Sequence, residues 1–459
     1  MLNVGVKKAI YTCCPDFLHP ILNRVEDSEI GYRLAKGVFW SITGAVISRG
    51  LMLAASVLVA RMLGKTGYGE LGMIQSTVGM FGVFAGFGLG LTATKHVAEF
   101  RRSDPVRAGN IIGLSGLVAL VTGGLMAMAL LVFAPWLAEH TINAPHLSGV
   151  LRIGAMILFI NALNGAQTGA LSGFEAFKTI AYVNLFVGLI SFPILVGGAY
   201  FGGLTGSVWA LAINLCFNWL LNHLALRREA RRYKVPFSFR NCSRELSVLW
   251  RFSLPAVLAG SMVGPVNWAC SALLVNQPDG YGEMGIFSAV NQWRMAILFI
   301  PGMVCQVVLP LLSNLSVESA GRQYRKVLIL NIFLNAGIAL AVVLPLVLFA
   351  RLVMSAYGPG FEQGISVLRI LAFTSVLIAT NSVVGQAIIS KGKMWMAFTF
   401  NALWAIALLT TTSILLYKGY GALGLACATF IAYCLHTVWQ SVYLRRILSR
   451  TGFADTQTG

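Results

Sequence analysis

Arg49 and Arg294 stand alone in long apolar runs, residues 38–60 and 284–312, with no acidic residue in the apolar interior of either. Each lies about ten residues from an end of its run, roughly 16 Å deep at 1.5 Å per residue. That is close to the midplane of a ~30 Å hydrocarbon layer. An ionised side chain there costs about 2.5–3.5 kcal/mol on insertion scales, so it belongs in a wet cavity or beside a partner. The simplest supply of negative charge is a cargo. The alternative is local: each arginine snorkels or bonds backbone carbonyls at a kink, and Pro301 is close to Arg294.

Other polar residues suggest the rest of a site. Arg152 and Arg369 fall at the starts of two further apolar runs. A cation there opposes the helix dipole, which fits a binding or gating role, or a solvated interfacial residue. Asn214, Asn218 and Asn222 form one helical stripe, Asn161, Asn164 and Gln167 form another, and Asn291 and Gln292 directly precede Arg294. Amides on a cavity wall can bond sugar hydroxyls, and amides between helices can equally serve as glue. Trp209, Trp219, Trp268 and Trp293 could stack on sugar faces or pack. Enzyme signals are missing: the sequence has no phosphate-binding glycine loop with lysine, no metal-ligand spacing and no nucleophile–His–acid set, so neither a catalytic role nor a cofactor is expected. The eight cysteines show no zinc or redox spacing.

These residues must be positioned by membrane helices. Of the 459 residues, 57% are hydrophobic and 11% charged, and the mean hydropathy is +0.75. A soluble chain carries about 25% charged residues. Apolar runs recur at about 37–60, 69–93, 109–133, 148–170, 179–200, 204–226, 249–275, 284–312, 327–350, 364–389, 394–417 and 421–444. The expected fold is all-α and polytopic, with about twelve spans. Pro255, Pro265, Pro301 and Pro310 predict kinks in the seventh and eighth spans. Residues 1–36 are read as a polar segment that either forms a short interfacial helix or stays a disordered tail, with no cleavable signal and the first span as an uncleaved anchor.

Charge orients the chain. The termini and the even-numbered loops hold 26 of the 34 Lys and Arg, while the opposite loops hold Arg61, Lys65, Arg152, Arg351, Arg369 and Lys418. Both termini are therefore expected in the cytoplasm. The net charge of +18 is then topological, and no nucleic-acid partner is implied.

The chain also repeats itself. Tyr68-Gly69-Glu70-Leu71-Gly72 recurs as Tyr281-Gly282-Glu283-Met284-Gly285, and Val150-Leu151-Arg152-Ile153 recurs as Val367-Leu368-Arg369-Ile370. Phe133-Ala134 matches Phe349-Ala350, and Tyr200 and Gly202 match Tyr417 and Gly419. The repeat predicts two six-helix bundles in parallel topology, residues 37–226 and 249–444, with a basic linker over 227–248 and a tail over 445–459. Transporters built from such repeats bind cargo between the halves near the midplane.

The segment Ala60-Arg61-Met62-Leu63-Gly64-Lys65-Thr66-Gly67-Tyr68-Gly69-Glu70-Leu71-Gly72 resembles the first-loop signature of bacterial polysaccharide transporters of the O-antigen flippase (Wzx-like) type. Lys36-Gly37-Val38-Phe39-Trp40, Leu151-Arg152-Ile153 and Gly169-Ala170-Leu171-Ser172-Gly173-Phe174 are similar to that family too, and the likeness runs over residues 34–446. It implies a MATE-like fold in the bacterial inner membrane. It also implies a polyprenyl-pyrophosphate-linked oligosaccharide as cargo, moved from the cytoplasmic to the periplasmic face, with membrane lipids, a polysaccharide polymerase and a chain-length regulator as partners. Arginine suits pyrophosphate because its planar fork binds bidentately and stays charged. In this superfamily the first two helices of each half line the central cleft, which would bring Arg49 and Arg294 to one cavity. Two alternatives share the fold. An ion-coupled exporter of cationic drugs needs embedded carboxylates, and the lipid II flippases usually carry two further helices. A fixed positive cavity would also let the membrane potential bias the cycle, at ~2.3 kcal/mol per charge per 100 mV.

Overall fold

The computed structural model describes residues 29–86, 88–236, 261–317, 321–390 and 394–454. The described residues are helical almost throughout, with no strand among them. The helices are α1 (Glu29–Gly86), α2 (Leu89–Phe100), α3 (Pro105–Trp136), α4 (Ser148–Gly173), α5 (Phe177–Arg232) and α6 (Val263–Val275), followed by α7 (Gly280–Val317), α8 (Gly321–Leu348), α9 (Ala350–Ser355), α10 (Ile365–Ser390), α11 (Met394–Tyr417) and α12 (Gly421–Ala454). Among the described residues, eight stretches are long and apolar enough to cross a membrane, and α6 is a shorter apolar helix. Two of the eight hold more than one crossing. Within α1 the backbone turns at Gly64 (φ 68, ψ 178), and within α5 at Gly203 (φ 54, ψ −133). These are conformations open in practice only to glycine. The first and second predicted spans are therefore rods of α1 joined at a glycine, and the fifth and sixth are rods of α5. Cut at these two turns, the described helices accommodate the predicted spans other than the seventh, of which residues 249–260 lie outside the described residues.

Capping and backbone chemistry explain the remaining boundaries. Asp104 accepts a hydrogen bond from the Arg107 amide at 3.0 Å and Pro105 opens α3, a typical helix start. α7 continues through Pro301 and Pro310 as one helix. Pro265 sits in the first turn of α6, where a missing amide costs nothing. The predicted kink at Pro255, the reading of residues 1–28 and residues 237–248 of the predicted linker lie outside the described residues.

The core is continuous at one end and divided at the other. Around the loops at 61–68, 134–147, 276–283 and 351–364 (the distal end), a single buried cluster includes Tyr68 and Leu147 from the first half and Met284 and Tyr357 from the second. Near the basic linker, the buried clusters each belong to one half. One gathers Ala93, Ala108, Leu171 and Val235; two others hold Cys305 with Leu328 and Val384 with Phe400. Among the described residues, the two bundles are thus joined distally, and the clusters near the linker are each confined to one half.

Candidate functional site: a glycine seam between the halves

The duplicated motif forms the distal closure. Gly69 and Gly285 sit where α1 and α7 cross, and a Cβ added at Gly69 would run into the Tyr281 carbonyl oxygen and come within 2.8 Å of the Gly285 nitrogen. A Cβ at Gly285 would strike the Lys65 carbonyl oxygen, and one at Gly72 the Ser288 hydroxyl. Two backbones approach this closely only where side chains are absent.

Side chains on either side of the seam bind the halves together in a nearly two-fold manner. The Tyr281 hydroxyl donates to the Ile142 carbonyl at 2.8 Å, in the outer loop of the first half. Its repeat counterpart Tyr68 packs against Tyr357 and Phe361 in the outer loop of the second half, with ring centroids 6.4 and 6.2 Å away. Tyr357 accepts a hydrogen bond from Trp293 Nε1 at 3.0 Å. Burial, reinforced by Tyr68, raises the Tyr357 pKa, so this hydroxyl stays neutral at physiological pH. Lys65 Nζ pairs with Asp279 at 2.6 Å, Arg61 Nε donates to the Ala356 carbonyl, and Asn276 donates to the Thr141 carbonyl at 2.7 Å. Deeper in, Trp268 Nε1 donates to Thr77 Oγ1 at 3.1 Å.

Below this closure the halves meet through Arg49. Its side chain is exposed on α1 and its guanidinium lies 5.1 Å from the Phe299 ring centre on α7. This cation–π contact crosses between the halves. Arg294 lies five residues before Phe299, about 7.5 Å along the helix. It is half-buried, feels the Tyr433 hydroxyl of α12 electrostatically, and its Nε has no hydrogen-bond partner among the described residues. Asn291 Oδ1 is buried and unpartnered, and Gln292 is half-buried. Arg152 and Arg369 are exposed near the starts of α4 and α10 at the distal end, away from the depth of Arg49.

The asparagine stripes sit inside the first half. Asn214 is buried and accepts from Ser191 at 2.7 Å; Asn222 donates to Asn218 at 2.9 Å and to Asn164 at 3.3 Å. These bonds link α4 to α5 and the two rods of α5 to each other. Sequence reasoning missed the seam and its flanking tyrosines as functional residues. The signal was present, since the Tyr-Gly-Glu pattern appears twice, but one chain alone does not say that the two copies touch each other.

Comparison with known proteins places these features in a family. Residues 34–316 match the family model described as "Polysaccharide biosynthesis protein". The chain is 27% identical over 409 residues to the EPS I polysaccharide export inner membrane protein EpsE of Ralstonia nicotianae, covering 87% of this chain and 91% of that protein. It is 24% identical over 288 residues to the Lipid III flippase of Escherichia coli, covering 62% of this chain and 68% of that one. Among solved structures, the inward-facing conformation of a multidrug resistance MATE family transporter superposes with a TM-score of 0.70 at 15% identity, covering 90% of this chain and 98% of that one. The outward-facing conformation gives 0.68 at 17% identity, covering 92% and 97%. At such identities the likeness shows the fold alone, whereas the family model spans more than half of the sequence: this chain belongs to the polysaccharide biosynthesis protein family.

Proposed function

We propose that this protein is a flippase that moves a polyprenyl-pyrophosphate-linked oligosaccharide across the bacterial inner membrane by alternating access. The observation that carries the proposal is Arg49. It is a membrane-depth cation, exposed between two halves that, among the described residues, are joined at the distal end and have buried clusters near the linker confined to one half each. Under the charge-based orientation, with both termini cytoplasmic, the linker end faces the cytoplasm, where such cargo is assembled. The saccharide and pyrophosphate enter the cleft, and the lipid tail remains in the hydrocarbon outside it. The similarity to a polysaccharide export protein and to a lipid III flippase supports this cargo class.

Arg49 attracts the pyrophosphate, and Arg294, behind the same wall, adds positive potential. A guanidinium held against the Phe299 ring keeps its planar fork free to bind phosphate bidentately. Arg152 and Arg369 would meet the cargo at the distal exit, and Asn291 and Gln292 lie on the helix that carries Phe299. Asn214 and Asn218 are already engaged within the first half, so a sugar would have to compete with those bonds. Parting of the Gly69–Gly285 seam releases the cargo on the far side. None of these steps makes or breaks a covalent bond, so no catalytic residue is needed.

The test is complementation of a strain that lacks its own O-antigen flippase, at equal membrane abundance of each variant. Wild type restores surface polysaccharide, Arg49→Ala removes it, and Arg49→Lys keeps part of it because a point charge survives without the fork. Arg294→Ala lowers it. Full activity of Arg49→Ala would sink the cationic cleft.

A further inference from the structure

The second half contains a chamber whose lining includes neither Arg49 nor a glycine of the seam. It is about 210 Å³ in volume and is walled by α6, α10, α11 and α12. Its polar lining includes Asn381, Trp404, Tyr433, His436 and Gln440, and no lining residue is acidic. Four of these side chains are more than nine-tenths buried: Trp404 (2% exposed), His436 (6%), Gln440 (6%) and Asn381 (7%). Each has a polar atom without a partner, namely Trp404 Nε1, His436 Nδ1, Gln440 Oε1 and Asn381 Nδ2. Buried polar atoms are rarely left so, and four lining one chamber mark a place built to hold something polar.

The sign of that ligand follows from the atoms. Trp404 Nε1 can only donate, and the Asn381 amide offers a donor or an acceptor according to its arrangement. His436 Nε2 and Gln440 Nε2 lie 2.6 Å apart. Whichever way the amide and the ring are arranged, this pair uses one donor and one acceptor on itself and leaves one of each. Arg294, outside the lining but within electrostatic reach of Tyr433 on the chamber wall, has an Nε without a partner among the described residues. A donor at Trp404 that nothing in the lining accepts, the electrostatic reach of Arg294 and a lining without carboxylates disfavour a cation and favour an anion.

We infer that this chamber binds a small anion, held by Trp404, Asn381 and the His436–Gln440 pair against the charge of Arg294. The anion is either a free inorganic ion or a charged group of the cargo, and the chemistry is shared. A free ion goes beyond the proposed flipping reaction and stands without it, whereas a group of the cargo rests on that reaction.

The test uses the detergent-purified full chain, with chloride replacing gluconate at constant ionic strength. Its readouts are the thermal unfolding midpoint and the quenching of tryptophan fluorescence by iodide. Wild type should show a saturable chloride response. The half-saturating concentration should rise at least tenfold in Trp404→Phe and in Gln440→Leu. Asn381→Asp, which adds a negative charge at nearly constant volume, should abolish the response. A response that does not saturate, or that is equal in wild type and all three variants, would overturn the inference. So would one lost only in Arg49→Ala, which would put the anion in the cleft. In a second arm, sodium pyrophosphate that displaces chloride would identify the cargo's phosphate as the source, and failure to displace it would identify a free ion.

Discussion

Substituting Gly69 by alanine tests whether the seam holds the distal end closed. The added Cβ would overlap the Tyr281 carbonyl oxygen and lie 2.8 Å from the Gly285 nitrogen. Both obstacles are backbone, so no side chain can swing away and the two helices must move apart. Overpacking of this kind costs about 1–3 kcal/mol. The penalty falls only on the conformation in which α1 and α7 touch. A coupling of that size shifts the balance of two states by roughly 5- to 150-fold. Spin labels attached at Glu139→Cys and Glu362→Cys report it, because both positions are exposed and lie in outer loops of opposite halves. In a background without the native cysteines, Gly69→Ala should lengthen the distance distribution relative to unsubstituted protein. Identical distributions, with both proteins equally stable, would refute the view that backbone contact at Gly69 determines closure.

Other perturbations have smaller, distinct effects. Lys65 and Asp279 are 21% and 58% exposed, so their pair contributes only about 0.2–1 kcal/mol to closure. Lys65→Asp should raise the open population a few-fold in the same spin-label assay, and the double exchange Lys65→Asp with Asp279→Lys should reverse it, less so in high salt. Gly64→Ala forces a side chain into φ 68, ψ 178. It should destabilise the protein by about 1–3 kcal/mol, seen as a lowered unfolding midpoint, whereas Gly337→Ala, with open space around it, should not.

The membrane helices were plain in the sequence because twenty-residue apolar runs reflect a solvent constraint that any bilayer imposes. The joins at Gly64 and Gly203 were less visible. A glycine between two apolar runs reads equally as a loop or as a sharp turn, and only backbone geometry separates the two. Arg49 stood out by cost alone, since a charge at that depth demands a reason. What it meets, Phe299, lies 250 residues away in sequence and could not be read from spacing. The asparagine stripes show the opposite case. Their periodicity placed them on one face correctly, but whether that face meets a cavity or another helix depends on rotation about the helix axis. In the structure Asn214 and Asn222 face Ser191 and Asn164. The chamber in the second half was hidden for a related reason. His436, Trp404 and Asn381 come from three helices and share no motif.

The account rests on the distal seam opening once for every cargo moved. The most direct test joins Lys65→Cys and Asp279→Cys, whose native side chains meet at 2.6 Å, with a short, reducible thiol cross-linker. Translocation of a polyprenyl-pyrophosphate-linked oligosaccharide is then measured in proteoliposomes. The cross-linked protein should stop translocation, and reduction should restore it. Undiminished translocation through the locked protein would contradict alternating access through this cleft.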